Sequence, residues 1–283
     1  MPELASRPRY RPSPAISASV VLHIGAAAAV LVRPQAWPWA LSAVVADHLL
    51  LTGAGLWPRS SLLGPNWTRL PEPFAPRASV AVTIDDGPDP EVTPRVLDLL
   101  DTGGARATFF CIGERVLQHP ELTREIVRRG HAVENHSQRH LHRFSLLGPA
   151  AMAAEVARAQ QAISDTTGEA ARFFRAPAGL RNPFLAAVLE HAQLRLASWT
   201  RRGFDTRNGN ADDVLGRLTK NLASGDILLL HDGHAARTQA GSPVILTVLP
   251  RLLAALSGAG LKPVTLRAAL PPAQAQPASV RAS

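Results

Sequence analysis

Seven short runs rich in β-branched and aromatic residues, each followed by a stretch of helical periodicity, constrain this chain more than any other feature of it. The runs are Val80 to Ile84, Ala107 to Phe110, Ala132 to Glu134, Arg172 to Phe174, Leu194 to Trp199, Ile227 to Leu230 and Lys262 to Thr265. Helix signals fall between them. Thr93-Pro94 reads as N-cap and first helical residue with Gly103 as the stop, and Leu122, Ile126 and Val127 share a face that Gly130 ends. Met152, Val156, Ala159 and Ile163 continue the pattern, Asn182-Pro183 and Asn210 open two more helices, and Pro243 to Leu256 supplies the last. Strand-then-helix alternation of this kind builds a parallel sheet, because a parallel neighbour needs a crossover. About seven units without a dinucleotide-type glycine fingerprint predict an α/β fold of the distorted (β/α)7 barrel type.

The N-terminus is different in kind. Arg7, Arg9 and Arg11 precede an uncharged run from Ala15 to Val32, long enough to approach the bilayer core of roughly 30 Å. A second apolar stretch, Trp39 to Trp57, carries Asp47 and His48 at its middle, where an ionised group costs about 3 kcal/mol on insertion scales. Residues 1–57 are therefore expected to anchor the chain in a membrane through one or two segments. A cleaved signal peptide is the competing reading, and no clear cleavage site precedes Arg33-Pro34. Proline-rich residues 58–77 read as a linker, 78–270 as the folded domain, and 271–283 as a disordered tail. The net charge of +8 comes almost wholly from scattered arginines, only Lys220 and Lys262 being lysines. That scatter, with no basic face interleaved with aromatics, argues against a nucleic-acid partner. Cys111 stands alone, which excludes an intrachain disulfide and a cysteine zinc site.

Polar residues gather just after the predicted strands, where barrel enzymes build their sites. Asp85 and Asp86 meet a turn at Gly87-Pro88, so both can reach one place, and two adjacent carboxylates suit a division between metal ligand and general base. His136 and His140 are four residues apart, the spacing of one face of a helical turn, and with one of those aspartates would make a His/His/carboxylate set with open coordination positions. His131 and His142 lack such a strand-end pairing. Arg175 precedes the Pro177-Ala178-Gly179 turn and could hold a carboxylate ionised and oriented. The fifth run leads to Trp199 and then Asp205, and the sixth delivers His231, placed to protonate a leaving group.

In this order the motifs resemble the NodB-type polysaccharide deacetylases, carbohydrate esterase family 4, over roughly Ala78 to Leu266. Thr83-Ile84-Asp85-Asp86-Gly87 resembles the family's T-F-D-D-G string, which implies Asp85 as general base and Asp86 as metal ligand. His136-Ser137-Gln138-Arg139-His140 matches H-S-x-x-H, implying both histidines as ligands. Arg175-Ala176-Pro177-Ala178-Gly179 is similar to the motif whose arginine braces the base, and Leu229 with His231 matches L-x-H, implying His231 as general acid. The family's D-x-x-D-W motif survives only as Arg202-Gly203-Phe204-Asp205-Thr206: the first Asp and the Trp are missing, while Asp205 matches the residue that tunes the histidine. Ala178 stands where the family usually has Tyr, leaving its backbone N–H for an oxyanion and one wall of the sugar pocket lost. Ala178 and Trp199 are the candidate substrate contacts.

The resemblance implies hydrolysis of the N-acetyl amide of an amino-sugar residue in a glycan, with a divalent cation, zinc first, as cofactor. Alternatives are deacylation or deformylation of a lipid-linked amino sugar, a non-catalytic carbohydrate-binding homologue, and a non-haem iron oxygenase using the same two-histidine, one-carboxylate set. The expected location is a bacterial inner membrane. One span would place the domain outside and two would return it to the cytoplasm.

Overall fold

A computed structural model describes residues 10–271 of the 283-residue chain. Arg7 and Arg9, and the expected tail apart from Pro271, lie outside the described residues. The elements run α1 (Pro14–Val32), α2 (Trp37–Leu56), β1 (Ser79–Asp85), α3 (Thr93–Thr102), β2 (Thr108–Cys111), α4 (Gly113–Gln118), α5 (Pro120–Arg128), β3 (Ala132–Asn135) and α6 (Pro149–Thr167). They continue with β4 (Phe173–Phe174), α7 (Leu185–His191), β5 (Arg195–Leu196), β6 (Arg201–Arg202), α8 (Ala211–Thr219), β7 (Ile227–His231), α9 (Ile245–Gly258) and β8 (Lys262–Val264).

The strands form one parallel sheet in the order β5-β4-β3-β2-β1-β7-β6, with β8 beside the start of β1. Its curl follows from two-sided burial. On β1, Val80, Val82 and Ile84 face the helical layer with Phe109, Leu228 and Leu230, while Ala81 points inward with Phe110, Phe173, Trp199 and Leu229. A strand buried on both faces reads as a continuous apolar run, which is why these runs were legible. The helices cover the outer face through stripes such as Val96, Leu97 and Leu100 on α3 and Val248, Leu249, Leu252 and Leu256 on α9. Leu266, Ala269 and Leu270 cap the inner cluster.

Three expectations need correction. The fifth run, Leu194 to Trp199, is a strand only at Arg195–Leu196 (β5), after which the chain crosses an open seam and adds an unexpected strand, β6, against β7. The 58–77 stretch fills that seam rather than spacing two domains. Trp67 N–H donates to Leu196 O at 2.9 Å, Ser198 N–H to Trp67 O at 2.8 Å, and Leu70 N–H to Gly225 O at 2.8 Å, while Leu63 and Leu70 are buried. Proline density masked this role, because single bridges carry no periodicity. Thr93 is the first residue of α3 rather than its cap. The orphan N–H groups of Glu91 and Val92 are met by Asp89 Oδ1, and the Thr93 hydroxyl is committed to Asp232.

α1 and α2 form an antiparallel hairpin, each long and apolar enough to cross a membrane. Only Ser19 on α1 and Ala54 and Gly55 on α2 are buried, so Val20, Val21, Ile24, Leu31, Leu49 and Leu50 point outward. The polar residues within the hairpin meet one another: Ser19 Oγ donates to Asp47 Oδ2 at 2.7 Å and the His23 and His48 rings pack edge to face. Ser13 caps α1 and also donates to Leu62 O at 2.8 Å, so the hairpin begins and ends on the same side as the barrel.

Candidate active site

The C-terminal ends of β1 and β7, with the loop that follows β3, place Asp85, His231, His136 and His140 around one cleft of about 750 Å³. Asp85 and His231 are register partners across the β1–β7 pair. Asp86 has φ +73°, a left-handed turn that swings its carboxylate back to the side that Asp85 faces. That bend is what lets consecutive residues serve one site. The histidine pair converges differently from expectation. Residues 136–140 form no helical turn, since Ser137 and His140 take φ +63° and +50°. The loop is tied by Ser137 N–H to Asn135 Oδ1 (2.9 Å) and His140 N–H to Ser137 Oγ (3.1 Å). Positive-φ turns bring the two rings together where helical spacing was expected to.

Asp86 Oδ1 lies 3.2 Å from His136 Nε2 and 3.3 Å from His140 Nε2. His136 Nδ1–H donates to Arg175 O at 2.8 Å, which leaves Nε2 as the outward lone pair. Burial, then the charge of His136, opposed by Asp86 and Asp85, lowers the His140 pKa to about 4, so that ring is neutral near pH 7. Burial works against ionisation of Asp86, yet the adjacent His136 and the hydrogen bond from His234, with the charge of His231, outweigh it and hold its pKa well below the carboxylate norm. Asp86 Oδ1 is buried with no hydrogen-bond partner. A carboxylate oxygen facing imidazole lone pairs is a site for a cation, and these three groups can hold one.

On one side of this triad, Asp85 is braced. Arg175, itself buried, donates to Asp85 Oδ1 at 2.6 Å, to Thr83 Oγ1 at 2.7 Å and to the carbonyls of Ala197 and Ser198, and its guanidinium lies 4.1 Å from the Phe110 ring centre. On the other side, His231 Nδ1–H donates to Asp205 Oδ1 at 2.9 Å while the His231 backbone N–H donates to Asp205 Oδ2 at 2.7 Å. Burial disfavours the His231 cation, but Asp205, by charge and hydrogen bond, with Asp85 and Asp86 behind it, raises the pKa to about 9. A bound dication would cancel part of that rise.

Ala178, at φ +55° in its Pro-Gly turn, and Trp199 both line the cleft, although Trp199 is largely buried. His131 packs against Phe109 in the core and accepts from Ala107 N–H, clear of the site. Four residues were missed. His234 Nδ1–H donates to Asp86 Oδ2 at 3.2 Å, and Arg115 donates to the Asp86 carbonyl at 2.7 Å, together steadying the turn. Asp232 is buried behind Gly87 and held by Thr93 and Gly233; burial lifts its pKa to about 7. Arg202 enters the cleft from β6. Asp232 and His234 followed His231 in sequence, but nothing there distinguished them from loop residues.

Residues 74–197 match the polysaccharide deacetylase family. A peptidoglycan-N-acetylglucosamine deacetylase of Bacillus cereus is 35% identical over 175 residues, covering 61% of this chain and 81% of that protein. A chitooligosaccharide deacetylase of a Bradyrhizobium species is 38% identical over 157 residues, covering 55% and 71%. Among solved structures, the family 4 carbohydrate esterase from Streptomyces lividans in complex with acetate superposes with a TM-score of 0.60 at 34% identity, covering 67% of this chain and 93% of that one. The chain belongs to the polysaccharide deacetylase family. It is a hydrolase of carbon–nitrogen bonds other than peptide bonds, which sets aside the oxygenase alternative.

Proposed function

We propose that the chain removes the N-acetyl group from an amino-sugar residue by amide hydrolysis, with Asp85 as base and His231 as acid. The reading rests above all on the register pairing of those two residues across β1 and β7, which sets a carboxylate and a protonated imidazole on either side of Asp86, His136 and His140. A divalent cation on those three, zinc on the strength of a two-histidine, one-carboxylate donor set, would polarise the acyl carbonyl and acidify the attacking water.

The protein's own groups supply the proton movements. Arg175 engages Asp85 Oδ1 and leaves Oδ2 to take the proton of a water attacking the acyl carbon. The tetrahedral oxyanion sits near the Ala178 backbone, where an N–H donor of this kind is worth roughly 3 kcal/mol in other enzymes. His231 Nε2–H then protonates the amine as the carbon–nitrogen bond breaks, releasing acetate and the free amino sugar. Asp205 holds the imidazole in the tautomer and orientation this requires. Acetate release from N-acetylglucosamine substrates, lost in Asp85→Asn, is the direct test; release undiminished in that variant would remove Asp85 from the role.

We further infer that the α1–α2 hairpin spans a bacterial inner membrane twice. Its outward apolar side chains and same-side ends support this, and arginines flank that shared end at Arg11 and Arg59. By the positive-inside tendency the catalytic barrel faces the cytoplasm.

A further inference from the structure

The cleft continues past the candidate metal ligands. A groove of about 530 Å³ adjoins it and shares Ala178, Trp199 and Arg202 with it, and the far end of that groove is Leu56 and Pro58, where α2 ends. The helix end is fixed to the site wall. Arg181 N–H donates to Gly55 O at 3.1 Å, the Arg181 guanidinium to Ser60 O at 2.6 Å, and Ser198 Oγ to Pro58 O at 2.6 Å. Contact at Gly55 is so close that a Cβ there would lie 2.3 Å from Arg181 O. The apolar hairpin and the reacting groups are therefore joined by one short, continuous path.

That path is cationic. Arg59, Arg201, Arg202 and Arg217 line the groove, and no Asp or Glu does. Arg201 is committed to Asp226, but Arg59, Arg202 and Arg217 make no ion pair with a carboxylate among the described residues. Arg202 is the pivotal one. Its guanidinium lies 5.4 Å from the Trp199 ring centre and 4.9 Å from that of Phe204, and its Nε is buried without a hydrogen-bond partner. It also stands where the family's D-x-x-D-W motif has its first Asp, so the charge at this wall of the site is inverted. A stacked guanidinium with unmet donors is suited to a phosphate, which accepts two parallel hydrogen bonds.

We propose that this groove binds the phosphate of a lipid-linked amino sugar, with Arg202 contacting the phosphate, the sugar's acylamino group at Asp85 and His231, and the lipid leaving past Leu56 toward the hairpin. The proposal rests on the deacylation reading and names its substrate class: a membrane-held phosphosugar rather than a neutral polymer. Presentation from the bilayer keeps the substrate at high local concentration beside a site tethered to the same bilayer.

The test uses the zinc-loaded full chain in lipid nanodiscs and one acyl sugar in three forms: N-acetylglucosaminyl phosphate on a polyprenol in the same bilayer, N-acetylglucosamine 1-phosphate in solution, and a neutral chitooligosaccharide. The polyprenol form is expected to exceed the neutral one in kcat/KM by about 100-fold. Arg202→Gln should lower that preference by about 10- to 100-fold, the scale of lost charge-assisted hydrogen bonds, while Arg202→Lys restores only part of it, since an ammonium cannot make the two parallel bonds of a stacked guanidinium. Equal turnover of neutral and phosphorylated forms, or an unchanged ratio in Arg202→Gln, overturns the proposal, and equal preference for the soluble phosphosugar overturns the lipid source. Absence of acetate from all three would refute the deacylation reading. Binding then decides the groove by itself: polyprenyl phosphate should quench Trp199 fluorescence in wild type and not in Arg202→Gln, and the same quench in both overturns the site.

Discussion

Asp86 gathers two imidazoles whose lone pairs face its unpartnered oxygen, so the triad should lose its cation when either ring is removed. His136→Ala and His140→Ala are each expected to abolish bound metal and activity while the far-ultraviolet circular dichroism stays near wild type, since the fold is held by apolar layers elsewhere. Asp85→Asn should behave differently: the metal stays, because Asp86 and the histidines still ligate it, and turnover drops by roughly 10²-fold or more, the scale of general-base loss. Atomic absorption beside an acetate assay separates the two classes. His231 acts as acid only while protonated, so kcat should fall on an alkaline limb that the bound dication sets below the metal-free pKa of about 9. Asp205→Asn removes the main charge that raises this pKa and should move the alkaline limb to lower pH. The same group is linked to stability. With a folded pKa of about 9 above the ordinary 6.5, its contribution is fully present below pH 6.5 and is lost between 6.5 and 9 as the proton leaves. Thermal midpoints of the metal-free protein across that window should decline more in wild type than in Asp205→Asn.

Between elements, the decisive contact is the seat of α2 on the barrel. Gly55 approaches the Arg181 carbonyl where no side chain fits, and backbone on both sides leaves nothing flexible to yield. Gly55→Ala should therefore lift the helix end off the Leu180–Arg181 loop, lowering stability by about 1–3 kcal/mol and reducing turnover without loss of metal. Differential scanning fluorimetry with metal analysis checks this, and a wild-type midpoint would show that the close approach is not needed. The seam beside it is closed by Trp67, which packs edge to face against Phe173 with ring centres 5.0 Å apart and bridges Ala197. The seam thus depends on a segment that has no regular structure of its own.

For the whole molecule, the hairpin determines which side the site faces. On the proposed topology, two spans with arginines at the shared end would put residues 58–271 in the cytoplasm. A C-terminal fusion to green fluorescent protein should fluoresce and one to alkaline phosphatase should stay inactive; the reverse pattern would put the barrel outside, where it meets finished polymer instead of precursor.

Strand positions, the parallel sheet and the five groups Asp85, Asp86, His136, Arg175 and His231 were legible because each is local: a buried strand is a run of apolar residues, and a site residue in a barrel is a polar group at its end. The apolar hairpin was legible from length and composition for the same reason. What the sequence could not determine depends on distant backbone meeting distant backbone. The extra strand β6 beyond the fifth run and across the seam, the docking of 58–77 into it, the left-handed turns that converge His136 and His140, and the support of Asp86 by His234 and Arg115 leave no periodic trace. Arg202 shows the division at one residue. Sequence marked it only as a departure from a motif, whereas the folded chain stacks it between Trp199 and Phe204 and leaves its donors facing a groove that begins at the end of α2, because which groups a cation lacks is decided by the tertiary neighbours around it.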